Sequence, residues 1–132
     1  MHLRRTRQLE SNQKFLLGIS FERSGLAMND SNYINSNQAQ NICTTLLNNM
    51  EQSEGLEHQY FKIGQQAFDS KSFMEDKTKI QKAKNILGPD WKRERYHNLV
   101  RLGGDAIACG LHEYSKATIL GGLLIFAQEQ GK

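Results

Sequence analysis

Apolar side chains recur every three to four positions along most of this chain, and that spacing is the helical one. Between Ser36 and Met50, the residues Ala39, Ile42, Cys43, Leu46, Leu47 and Met50 fall at i, +3, +4, +7, +8 and +11, one face of a single helix. Asn35 or Ser36 can cap its start, and Gly55 can close its end. Leu56, Tyr60, Ile63, Gly64 and Ala67 repeat nearly the same spacing, which predicts a second helix over about 55–68. So short a break between the two predicts an antiparallel pair.

The third helix is punctuated at both ends. Ser72, Phe73, Met74 and Glu75 match a capping box, Phe73, Ile80, Ala83 and Leu87 form the apolar face, and Gly88-Pro89 supplies the stop. Pro89 is the single proline in 132 residues, a scarcity that favours long helices over many short strands. Asp90 is placed to cap a fourth helix from Trp91, with Tyr96, Leu99, Val100, Gly103 and Ile107 on one side. Interior glycine costs ~1 kcal/mol relative to alanine, so Gly103-Gly104 is expected to interrupt it. A fifth helix begins near Ser115 and runs through Ile119, Leu120, Leu123, Leu124 and Phe126 to Glu129. It is apolar nearly all round, so it should lie at the centre. Upstream, residues 4–24 read as a helix with Leu9, Phe15, Leu16 and Ile19 inward, although the alternation Leu17, Ile19, Phe21 also fits a short strand. The expected architecture is all-α, a compact bundle of five or six helices. Residues 1–28 form a basic segment, helix or arm, residues 29–36 a polar linker, and residues 37–132 the bundle.

The motifs of bond-making chemistry are thin. Cys109 and His112 form one C-x2-H pair, whereas structural zinc sites present two close pairs. Glu94 and His97 copy the Glu-x-x-His element of di-iron bundles, which need it twice with two further glutamates. Cys43 lies on an apolar face, where burial keeps a thiol protonated. Gly103-Gly104 and Gly121-Gly122 lack the pattern of a phosphate loop. Their physical use is to let a neighbouring backbone approach, Gly121-Gly122 facing Gly103, Gly104, Ala108 or another chain. No catalytic group, metal or cofactor is expected. Two unpaired-looking cysteines suit a reducing, cytoplasmic setting. Ala117–Ala127, the most apolar stretch, is too short for the ~20 residues of a membrane span.

Charge is distributed unevenly. Residues 1–14 set Arg4, Arg5, Arg7 and Lys14 against Glu10, and residues 71–101 carry nine Lys/Arg against Glu75, Asp76, Asp90 and Glu94. Residues 15–70 instead hold Arg23 and Lys62 against six acids. The second basic block places Lys77, Lys79, Lys82 and Lys84 on one helix and Lys92, Arg93 and Arg95 on the next, with Trp91, Tyr96 and His97 interleaved. Cations meet phosphates, and exposed rings stack on unpaired bases. Two functional expectations follow. One is a non-enzymatic helical accessory protein, a subunit or adaptor with a protein partner or a second copy of itself. The alternative is a subunit that holds single-stranded RNA or DNA through residues 77–101 and the N-terminal arginines Arg4, Arg5 and Arg7. In size, helix content and basic surface the chain is similar to the small helical subunits of CRISPR effector complexes, a likeness of format that no motif carries.

Overall fold

The structure, a computed structural model, describes residues 2–70 and 73–130, with side chains over 10–70 and 77–130. It is an all-α bundle, as the periodicity predicts. Among the described residues there are six α-helices: α1 (His2–Ser24), α2 (Ser36–Gln52), α3 (Leu56–Asp69), α4 (Phe73–Leu87), α5 (Trp91–Cys109) and α6 (Lys116–Gln130). Short 3₁₀ turns at Gly88–Asp90 and Leu111–Glu113 join the last three. The capping box expected at Ser72 lies outside the described residues. At the head of α2 the box is built instead by Asn35 and Gln38, each side chain accepting the other's backbone N–H at 2.9 Å.

Two glycine seams organise the bundle. Along the first, an added Cβ on Gly18 of α1 would lie 2.7 Å from Leu99 Cα, and one on Gly103 of α5 would lie 2.6 Å from Lys14 Cα. Gly18 meets Leu99 while Lys14 meets Gly103, so α1 and α5 run antiparallel with their backbones in contact. The second seam repeats the device, with Gly64 of α3 against Ala117 and Gly121 of α6 against Tyr60. In all four helices the glycine stands four residues after the residue whose carbonyl the partner's glycine meets. These two pairings dominate the packing. Only a residue without Cβ permits such an approach, and the gain is dispersion contact along both seams.

Several sequence expectations change for this reason. Gly103-Gly104 does not interrupt α5, which runs unbroken to Cys109, because tertiary contact outweighs the local cost of glycine. Gly121 faces Tyr60 and Gly64 rather than Gly103, Gly104 or Ala108. The antiparallel pairing of α2 with α3 does not form the core. They touch sparingly, and α3 turns to α6 while α2 lies on α5 and α6. In α1 the seam sets the rotation, so Leu17, Gly18, Ser20 and Phe21 are buried while Leu16 is 45% exposed. The short-strand alternative for Leu17–Phe21 is not adopted, since these residues lie within α1. Helix α1 packs against α5 and α6, with Lys14 and Gly18 in the seam.

The centre belongs to α6, where Ala117 to Leu123 are buried without a break. Cys43, Leu46, Leu99, Leu102, Ala106 and Leu111 close around it. The polar stretch after α1 is an ordered turn. Met28 and Tyr33 form an antiparallel bridge, Asn29 Oδ1 accepts the N–H groups of Ser31 and Asn32, and Ala27 and Ile34 are buried. Arg101 of α5 fastens this turn by donating to the Ile34 carbonyl at 2.6 Å.

Candidate nucleic-acid interface

Helix α4 rests at the edge of the bundle against α1 and α5. Ala83 is fully buried and Ile80 and Leu87 are half-buried, which turns Lys77, Thr78, Gln81, Lys82 and Asn85 outward. The 25–30 turn faces this polar side and encloses a cleft with it. An open groove of about 580 Å³ is lined by Asp30, Lys77, Thr78, Gln81, Lys82, Asn85 and Ile86. A tighter recess of about 120 Å³ is lined by Glu22, Gly25, Ala27, Met28, Lys79 and Lys82. Lys82 lines both, so the two hollows flank the same side chain on α4.

The electrostatics of the cleft follow from which charges are already matched. Arg95 donates to Glu22 in bidentate fashion, Nε to Oε2 at 2.8 Å and Nη2 to Oε1 at 2.7 Å, with the two side chains 17% and 4% exposed. The carboxylate that reaches the recess is thereby neutralised within the fold. Lys79 donates to the Arg23 carbonyl, satisfying one of the acceptors left open in the last turn of α1. The Tyr33 hydroxyl is buried with no hydrogen-bond partner among the described residues. Burial first, and the Glu22 carboxylate second, push its pKa up to about 12 against the opposing effect of Arg95. Lys77 and Lys82 against Asp30 give the open groove more basic than acidic lining residues.

The other basic residues are dispersed. Lys84 is exposed on α4 but does not line the cleft. Lys92 and Arg93 are exposed at the start of α5, with Lys92 Nζ 5.8 Å from the Trp91 ring centre. Arg95 is turned inward to Glu22 and lies over the Phe15 ring at 5.9 Å. The side chains of Arg4, Arg5 and Arg7 lie outside the described residues. Tyr96, which the spacing sets on the same side of α5 as Leu99 and Val100, is 42% exposed and packs its ring on Phe15 at 5.3 Å, while Trp91 is half-buried. Sequence reasoning overlooked Thr78, Gln81, Asn85 and Met28. The one available signal was the i, i+4 pair Gln81 and Asn85, whose side chains are hydrogen-bonded at 3.0 Å.

Cys43 is fully buried, and burial, with Cys109 and Asp105 nearby, pushes its thiol up to about 12. Such a thiol stays protonated and unreactive. Cys109 Sγ lies 3.9 Å from both the Gln40 carbonyl and Thr44 Oγ1. Among the described residues no three His, Cys, Asp or Glu side chains gather around a common point. No described helix is long and apolar enough to cross a membrane. No family model, curated protein or solved structure matches this chain.

Proposed function

We propose that this protein is a non-enzymatic binding subunit whose α4 cleft holds a single-stranded nucleic acid. One observation carries the reading: Lys77 and Lys82 line one open groove on the outer side of α4, bordered by Asp30 of the 25–30 turn. Thr78, Gln81 and Asn85 add neutral donors and acceptors along it. The groove follows α4 from Lys77 to Ile86, about 14 Å at 1.5 Å per residue, which matches a few nucleotides of an extended strand. Fluorescence anisotropy of a labelled oligonucleotide of about ten nucleotides tests it. Two phosphate contacts, on Lys77 and Lys82, give a slope of log affinity on log salt of about −1.4, at about −0.7 per contact on a single strand. Lys82→Ala brings that slope about 0.7 closer to zero, and Lys84→Ala, outside the cleft, changes it less. Binding that is indifferent to both salt and Lys82 refutes the reading.

A second reading keeps the accessory role and puts the contact on protein. It is favoured by Leu16, 45% exposed at the edge of an apolar recess of about 300 Å³ with Leu17, Tyr114 and Ile119. Leu16→Asp would then abolish a dimer or complex seen by sedimentation. A wild-type chain that sediments as a lone monomer removes that reading.

A further inference from the structure

Between α1 and the start of α6 lies a recess of about 300 Å³, more enclosed than the α4 groove. It has twice the ~150 Å³ of a protein cavity that holds benzene, room for a molecule of about ten non-hydrogen atoms. The lining is mostly apolar: Leu17 and Ile119 are buried, Tyr114 is half-buried, and Leu16 is exposed at the edge. Two further residues set its chemistry. Lys116, the first residue of α6, is the single Lys or Arg among the described lining residues, which include no Asp or Glu. Glu113, close by in sequence, lines a different hollow with Glu57 and His58. His112 lines the recess from the turn before α6, and its Nδ1 is buried with no hydrogen-bond partner among the described residues. Buried nitrogens are seldom left unpaired in a folded chain, so this wall suits a ligand that brings a hydrogen-bonding group.

We propose that this recess binds a small amphipathic monocarboxylate, with its apolar chain along Leu16, Leu17 and Ile119 and its carboxylate at His112 and Lys116. The lining selects this class. A lone cation with no acid beside it favours an anion over a cation, and one lysine matches one negative charge. The apolar wall rewards chain length, each buried methylene being worth about four-fold in affinity. A neutral hydrocarbon would fill the space and leave Nδ1 unpaired. The site is separate from the α4 groove and does not rest on the nucleic-acid reading.

The test titrates octanoate, butyrate and octan-1-ol into the full chain by calorimetry at millimolar concentration, with histidine imidazole signals followed by NMR. Octanoate should bind at one site per chain and at least about ten-fold more tightly than butyrate. It should move the imidazole signals of His112 and leave those of His58 and His97 in place. Lys116→Met should weaken octanoate about five-fold, the upper range for an exposed charge pair, and leave octan-1-ol unchanged. Leu16→Trp, which sets a larger ring at the exposed edge of the recess, should exclude both, with far-ultraviolet dichroism reporting the fold. Octanoate binding that leaves His112 unmoved, or that survives both substitutions, overturns the site. Equal losses of octanoate and octan-1-ol in Lys116→Met overturn the carboxylate. A chain that takes up no octanoate overturns the proposal outright, and a dimer broken by Leu16→Asp would then give the recess to a second copy.

Discussion

Gly103 and Gly104 are neighbours in α5, yet alanine at the two positions should move stability in opposite directions. Helix propensity alone favours alanine at either site by about 1 kcal/mol. At Gly104 the new methyl would meet the Lys14 side chain no closer than 3.8 Å, an ordinary contact with the flexible part of that chain. Propensity should therefore prevail, and Gly104→Ala should stabilise by up to about 1 kcal/mol. At Gly103 the methyl would lie 2.6 Å from Lys14 Cα and closer still to the carbonyl of that residue. Carbon atoms settle at about 3.5–4.0 Å, so α1 and α5 must separate by about 1 Å along the seam. Backbone cannot rotate away as a side chain does. Overpacking costs typically about 1–3 kcal/mol, and backbone on both sides places this case at the upper end. Offset by the propensity gain, Gly103→Ala should destabilise by about 2 kcal/mol. For a chain of this size that lowers the melting temperature by roughly 8 °C. Urea unfolding followed by dichroism at fixed protein concentration measures both variants, with the m-value reporting unchanged exposure. If Gly103→Ala gains the same stability as Gly104→Ala, the glycine seam is not what holds α1 to α5.

Two further outcomes follow from the charges around the cleft. Glu22→Gln and Arg95→Met should each destabilise by about 3 kcal/mol, because each leaves a largely buried partner unmatched, whereas the double variant should lose less than the two losses combined. Strict additivity in that cycle would mean the bidentate pair is not formed. Tyr33→Phe should leave stability at neutral pH within about 1 kcal/mol of wild type, since it removes a buried hydroxyl without stranding a partner. Its effect should appear in alkali. The folded pKa of Tyr33 is raised from 10.0 to about 12, and that of Cys43 from 9.0 to about 12. In that window the folded state holds protons the unfolded state has released, so wild-type stability is full below about pH 9 and is lost as pH rises toward 12. Tyr33→Phe should flatten the part of that loss above pH 10, and an unchanged alkaline profile would contradict the burial of its hydroxyl.

What the amino-acid order determined by itself is the set of rods. Helix formation depends on residues within about four positions of each other, so caps, stops and apolar spacing located α2, α3, α4, α6 and the start of α5 to within a residue or two. The buried run of α6 was legible for the same reason, since a helix apolar on every side has no alternative to the interior. Tertiary structure decided how the rods turn and whom they meet. Gly18 looks like an interruption of an apolar run until Leu99, eighty-one positions away, is placed against it. That contact rotated α1, exposed Leu16 and left Phe15 half-buried against the Tyr96 ring. The candidate site divided along the same line. The sequence presented a block of equivalent cations, and packing made them unequal. Arg95 was drawn to Glu22, Lys84 was left outside, and Lys77 and Lys82 line a groove that the 25–30 turn borders through Asp30. Local spacing fixes a helix, but a cleft needs two segments that no local rule brings side by side.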